Sequence, residues 1–333
     1  MDWFETLTGF REANYQATRA NLELDGAQLR SRVNGHRYHI GQLETPTLAQ
    51  LRARGAPLLT GLAGRLQVRA VSGEARAMHR DPAHRNALFQ VASQFNLLEM
   101  TGPQVSPEDG VTRYALDHTQ GPACAIAAGA ATLYRNYLAP VDGQPGQTRD
   151  RQIDCLQDLG SALGNSGDSL WAMRNGYALC TQAGLARIDT LLAAAGEDQL
   201  DEWRAQLRIG LHWDVEVTDM PQASHRVSQA FCSALPVAYS PVPAAHWARF
   251  ATLILEASYE ATLWAAAINA HDRGSRLVCL THVGGGAFGN HESWIHTAQR
   301  RALDRFSAID LDVRLVSYGS PSQAQHRLAA HCG

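Results

Sequence analysis

The segment from Arg276 to Asn290, RLVCLTHVGGGAFGN, constrains what this chain can fold into more than any other. Leu277, Val278, Cys279, Leu280 and Val283 form an apolar run bounded by turn residues, which predicts a short buried strand. That strand empties into Gly284, Gly285 and Gly286, with Gly289 close behind. Glycines allow left-handed backbone and close approaches that a Cβ forbids. Asn290 is placed to cap a helix beginning near His291 to Trp294, with Glu292 in its first turn. A glycine loop feeding a helix N-terminus presents backbone N–H groups to an anion, normally a phosphate or diphosphate. A tight turn without a ligand is the plainer alternative, yet four glycines in six residues exceed what a turn requires.

Missing residue types narrow the chemistry. All 29 basic residues are arginine. Without lysine there is no Walker A loop, no kinase strand lysine and no Schiff-base amine. A phosphate would be held by backbone, helix dipoles, hydroxyls or arginine. The formal net charge of −3 argues against a general nucleic-acid binder. Phe250 to Ala270, the most apolar long stretch, is interrupted by Glu256, Glu260 and Asn269, so no membrane span is expected. Acidic residues in the opening MDWFETLTGF, where a signal peptide would be basic, predict a cytoplasmic protein. Cys124, Cys155, Cys180, Cys232, Cys279 and Cys332 lack CxxC spacing and read as reduced thiols, with no metal site or cofactor implied.

The 333 residues, 45% of them hydrophobic, suffice for one large elaborated domain or for two. Trp3, Phe4, Leu7 and Phe10 at helical spacing, and a helix over Thr47 to Arg54, predict a helical extension over residues 1–62. From Leu66 the pattern turns to strands: Leu66 to Ala70, then Leu88 to Asn96. A helix rich in small residues spans Gly121 to Tyr137. The Pro/Gly-rich PVDGQPGQTRD opens a helical insertion over about 140–206. Strands at Leu207–Thr218 and Val227–Val237, a helix at Ala244–Ala270, the glycine-loop strand, a helix at Glu292–Ser307 and a strand at Val313–Tyr318 complete the chain. This alternation predicts a substantially parallel sheet covered on both faces. Ligands then sit outside the carboxyl ends of the strands, where Asn96, the glycine loop and Ser317–Gly319 converge.

The best candidate for reactivity is LRIGLHWDVEVTD, Leu207 to Asp219. Period two places His212, Asp214 and Glu216 on one face, with neighbours about 6.5–7 Å apart, and Asp219 at the strand's end. Such carboxylates can orient a cationic group or serve as acid and base. The alternative is the solvated side of an edge strand. His282, two residues before the glycine loop, could reach a phosphate or satisfy backbone.

These stretches resemble the macrodomain family, whose members bind ADP-ribose and often hydrolyse its links to proteins. The resemblance covers about residues 65–320, apart from the insertion. It implies a three-layer α/β/α macrodomain-like mixed sheet, with the binding domain over residues 63–333. Val68–Glu74 and LFQVASQFN are similar to the two opening strands, with Glu74 at the adenine-reading acid, Gln94 nearby and Asn96 beside the distal ribose. Thr119, Gln120 and Gly121 open a stretch similar to the first phosphate loop and its helix, departing from the usual triple glycine. Gly284, Gly285, Gly286, Ala287, Phe288, Gly289 and Asn290 match the diphosphate loop, and Tyr318 ends the last strand near the adenosine. FQVASQFN, TQGPACAIAAGAATLYRNY, FCSALPVAYS and HVGGGAFGN together look like the divergent branch typified by the bacterial effector MavL. That branch is associated with removing ADP-ribose from arginine, notably on ubiquitin. The resemblance thus implies an ADP-ribosyl-arginine hydrolase acting on a protein and places the acidic strand close to the distal ribose, so that Asp214, Glu216 and Asp219 are the candidate catalytic residues. A non-catalytic ADP-ribose reader is the rival. A Rossmann-type dehydrogenase fits less well, for want of a G-x-G-x-x-G followed by an acid about 20 residues on.

Overall fold

The computed structural model describes residues 2–220 and 225–332, leaving the Cys332 side chain outside the description. Alternating apolar residues build a central sheet of seven strands. In chain order they are β1 (Gln42–Glu44), β2 (Gln67–Ser72), β3 (Leu88–Ala92), β4 (Gly210–Glu216), β5 (Arg226–Cys232), β6 (Leu277–Leu280) and β7 (Asp312–Ser317). Their spatial order is β1-β4-β5-β3-β6-β7-β2. The five strands from β5 to β2 are parallel, and β4 runs antiparallel to both its neighbours, so the sheet is mixed.

Consecutive residues of β3 show why helices cover both faces. Phe89 stacks on His79 of helix α1 (Ala75–Arg80), ring centroids 3.9 Å apart. Gln90, pointing the other way, donates through Nε2 to Thr262 of the 26-residue helix that becomes α4 (Ala248–Arg273), at 2.9 Å. On the α1 side lie α2 (Gln120–Ala127) and α3 (Gly129–Tyr137). On the α4 side lies α5 (Glu292–Arg305), and α6 (Gln323–Cys332) packs at the β2 edge. The architecture is a three-layer α/β/α fold.

Several sequence expectations change in detail. The helix expected over Gly121–Tyr137 is broken at Ala128 (φ −111°, ψ 55°). Thr218 fills the break: its N–H donates to the Ala127 carbonyl and its hydroxyl accepts from the Gly129 N–H, both at 2.9 Å. The strand expected over Leu88–Asn96 ends at Ala92, where the chain turns. Residues 1–62 are not wholly helical. Beside the helices Trp3–Thr8 and Leu48–Gly55, they form a three-stranded antiparallel sheet and contribute β1. The segment over 140–206 includes the hairpin Trp171–Arg174/Tyr177–Cys180 beside its helices. Both segments pack into the core: Leu48, Leu51, Leu159 and Ile188 are buried in the same cluster as Leu88 and Val278. No described helix is long and apolar enough to cross a membrane.

Candidate active site

A two-lobed cleft opens at the carboxyl ends of β3, β6 and β7. The lobes meet at Thr119, Gln120, Thr281, His282 and Gly286, which line both. The proximal lobe, about 440 Å³, lies between Glu74 and Met78 on one side and Val316, Ser317 and Tyr318 on the other. The distal lobe, about 160 Å³, holds Gln94, Glu99, Asp117, Tyr177, Tyr239 and Phe288.

The glycine loop forms one wall. Gly284 adopts φ +78°, and a Cβ there would lie 2.4 Å from that of Ala234. Gly289 and Asn290 turn the loop back by donating to the Gly286 and Gly284 carbonyls. The N–H groups of Gly286, Ala287 and Phe288 have no acceptor among the described residues and stand at the cleft, the arrangement that receives an anion. Nothing lies within 4 Å of a Cβ built on Gly286, so that space is open to a ligand. Gly285, Gly289 and Asn290 are not in the lining. Asn290 does not cap α5; His291 does, one residue later, while the Asn290 amide donates to the Leu235 carbonyl at 2.8 Å.

The facing wall is the N-terminus of α2. Thr119 lines the cleft with no capping bond from its side chain. Gln120 joins helix to sheet, accepting from Ala92 N at 2.9 Å and donating to the Gln90 carbonyl at 2.8 Å. At Gly121 a Cβ would sit 2.1 Å from the Ala92 carbonyl oxygen and 2.2 Å from Glu99 Oε2. Glycine here lets helix, strand end and carboxyl group meet. His282 sits at the junction of the lobes, stacked on His296 at 5.2 Å. Burial, then the neighbouring His296, holds its pKa below the ordinary histidine value.

Glu99 is the distinctive group. It is 3% exposed, and its Oε1 is buried with no hydrogen-bond partner. Burial pushes its carboxyl well above the usual range; the Arg135 charge works the other way, and Asp117 adds to the rise. A buried carboxyl whose pKa is raised keeps its proton to higher pH than an exposed one, and at the end of a cleft it can donate that proton. Asp117 lines the same lobe and accepts from Thr119 N at 2.8 Å.

Other expected site residues take different places. Glu74 lines the proximal lobe, but its two carboxylate oxygens cap α1, accepting from Arg76 N and Ala77 N at 2.8 and 2.7 Å. Tyr318 lines the same lobe and is 84% exposed. Gln94 reaches the distal lobe while its Oε1 accepts from Met100 N. Asn96 is fully buried behind the wall, donating to Gln152 Oε1 at 2.8 Å.

The carboxylates of β4 are not brought to the cleft. A bulge between His212 and Val215, with Asp214 at φ +54°, interrupts the alternation that would align them. His212 is buried against Arg135. Asp214 pairs with Arg273 at 2.9 Å, Glu216 accepts from His39 N at 2.7 Å, and Asp219 is clasped by both Nε and Nη2 of Arg76 at 2.5 Å. None of the three lines either lobe. This corrects their expected catalytic placement.

The structure adds Glu99, Asp117, Tyr177 and Tyr239 to the site. The sequence carries one sign of Glu99, a lone acid inside the apolar run Leu97-Leu98-Glu99-Met100. The other three carry none, because their positions depend on how distant segments dock.

No family model and no curated protein matches this chain. Among solved structures, it is similar to a poly(ADP-ribose) glycohydrolase from Thermomonospora curvata, with TM-score 0.46 and 13% identity over 92% of this chain and 94% of that one. The same enzyme bound to the inhibitor ADP-HPD gives TM-score 0.45 and 13% identity, over 92% and 93%. Poly(ADP-ribose) glycohydrolase from Deinococcus radiodurans, in complex with ADP-ribose, gives 0.43 and 11%, over 86% and 91%. At identities this low, the functional reading rests on the cleft's own residues.

Proposed function

We propose that the chain binds ADP-ribose along the two-lobed cleft and hydrolyses the N-glycosidic bond joining it to an arginine side chain of a protein. The observation that carries the reading is the buried, unpartnered Glu99 carboxyl at the far end of a cleft whose middle is walled by free N–H groups. In this reading the diphosphate lies between the glycine loop and the N-terminus of α2, where helix and loop donors favour negative charge. The larger, more apolar proximal lobe takes the adenosine, and the small distal lobe takes the second ribose. The arrangement agrees with the resemblance to macrodomains.

Cleavage breaks the bond between the ribose anomeric carbon and the guanidine nitrogen and leaves an oxocarbenium-like sugar. Glu99 delivers a proton to the departing nitrogen. The Asp117 carboxylate supports the positive charge on the sugar and takes a proton from the attacking water, whose oxygen bonds to the anomeric carbon. The products are ADP-ribose and unmodified arginine. No step calls on a metal or cofactor.

The test is single-turnover incubation with proteins ADP-ribosylated on arginine, glutamate or serine, measuring released ADP-ribose. Arginine-modified ubiquitin is the first substrate to try, following the resemblance. Release from arginine is expected. Tight binding of ADP-ribose without release from any linkage would show a reader instead.

A further inference from the structure

We infer that Tyr239 is a specificity-determining residue whose ring receives the leaving group and favours a flat cationic one. This rests on the hydrolase reading and extends it to the side of the bond that ADP-ribose does not occupy.

The distal lobe ends in three aromatic rings. Tyr177, Tyr239 and Phe288 stand 5.2, 5.3 and 5.6 Å apart pairwise, centroid to centroid. Tyr177 is 1% exposed, and its hydroxyl donates to the Met100 carbonyl at 2.7 Å, so it serves as backing. Tyr239 is 37% exposed and forms the outer lip.

Its support is firm. Ala238 N donates to the Phe288 carbonyl and Tyr239 N to the Pro236 carbonyl, both at 3.0 Å. A Cβ on Gly289 would lie 2.9 Å from that of Ala238, so this segment is seated closely on the glycine loop. The backbone that carries the ring is therefore held against the glycine loop.

Glu99 and Asp117 line the same chamber, so a departing group lies among two carboxyl groups and an aromatic face. A guanidinium suits both: it is planar, weakly hydrated, rich in donors and attracted to aromatic rings. A carboxylate leaving group would meet like charge at Asp117. A serine hydroxyl has neither a planar face nor a charge for the ring to attract. The expected preference is arginine over serine over glutamate or aspartate linkages.

The experiment compares wild type with Tyr239→Leu and Tyr239→Phe on arginine-linked and serine-linked peptides, with calorimetry on free ADP-ribose as reference. Tyr239→Leu keeps bulk but removes the aromatic face. It is expected to lower kcat/KM on the arginine linkage about tenfold, beyond any change that it makes in ADP-ribose affinity or in the serine-linked rate. Tyr239→Phe keeps the aromatic face and loses the hydroxyl's interaction with Tyr177, and it should restore most of the arginine-linked rate lost in Tyr239→Leu. Equal losses on both linkages, no loss on arginine, or failure of the Phe variant to restore the rate would overturn the inference. If Tyr239→Leu does not fold, Tyr239→Trp decides: held or increased arginine preference supports the inference, and reduced preference overturns it. Wild-type protein that binds ADP-ribose yet cleaves neither linkage would instead remove the hydrolase reading, and the inference with it.

Discussion

At the scale of single residues, the lack of a hydrogen-bond partner separates one buried carboxyl from the other acids among the described residues. Glu99 has a buried oxygen without a partner, whereas Asp214 and Asp219 are engaged by arginines. Glu99→Gln should therefore cut single-turnover hydrolysis by about 10²-fold or more, the scale for a positioned acid, while calorimetry finds ADP-ribose binding preserved. Asp214→Ala and Asp219→Ala should leave the rate near wild type; a large loss in either would return catalysis to β4. The pH dependence has a definite sign. Burial raises the Glu99 pKa, so its proton-donating form persists to higher pH than that of an ordinary carboxyl and is lost as pH rises through the folded value. The single-turnover rate is expected to fall on the alkaline side, and Glu99→Gln should abolish that limb. At Gly286, where a Cβ would meet open cleft, Gly286→Val should weaken ADP-ribose binding strongly in a folded protein. Unchanged affinity by calorimetry would mean that the loop does not hold the diphosphate.

At the scale of elements, the inserted hairpin Trp171–Arg174/Tyr177–Cys180 supplies a wall of the distal lobe. Its tip docks through backbone and amides: Phe95 N donates to the Gly176 carbonyl at 3.0 Å, and Gln152 bridges Asn175 and Asn96 at 2.9 and 2.8 Å. Gly176 adopts φ +79°, and a Cβ there would lie 2.6 Å from both Asn96 Oδ1 and Gln94 Cβ. Gly176→Ala combines an unfavourable backbone conformation with a close contact, so a loss of roughly 1–3 kcal/mol is expected. Urea unfolding measures the stability, and arginine-linked turnover should fall alongside it as Tyr177 loses its seat. Asn96 thus acts as the anchor of this hairpin, which explains why it lies behind the wall.

At the scale of the whole molecule, arginine–carboxylate pairing holds the layers together where lysine is absent. Glu260, in the middle of α4 and fully buried at its side chain, pairs with Arg52 at 2.7 Å and Arg301 at 2.8 Å, with Arg305 at 3.5 Å. Those partners come from the N-terminal segment and from α5. Desolvation would raise the Glu260 pKa, but the bonds from Arg52 and Arg301 outweigh it and leave the value lowered. Glu260→Gln should cost roughly 3 kcal/mol, the low end for removing one partner of a buried ion pair, because the arginines keep access to water. A depressed carboxyl contributes stability that is present above its unfolded value of 4.5 and lost as pH falls through the folded value. Thermal melts should therefore show wild type losing its advantage over Glu260→Gln as the pH falls below about 4. An unchanged Tm difference across that range would assign the stabilisation elsewhere.

Local patterning determined much of this protein. The strand, glycine loop and helix over Leu277–Arg305 follow from an apolar run, four glycines and a polar cap, all properties of neighbouring residues. The alternation of strands and helices from Leu207 onward implied a covered, largely parallel sheet for the same reason. The tertiary structure decided which carboxyl group faces the cleft. Period two predicts an acidic face on β4, but a bulge at Asp214 and arginines from α1 and α4 take those acids away. Glu99, Asp117, Tyr177 and Tyr239 come from segments far apart in the chain and meet only when the hairpin, α2 and the glycine loop dock. A carboxyl group's proton affinity depends on the low-dielectric surroundings that packing creates. Sequence spacing does not encode those surroundings; burial does.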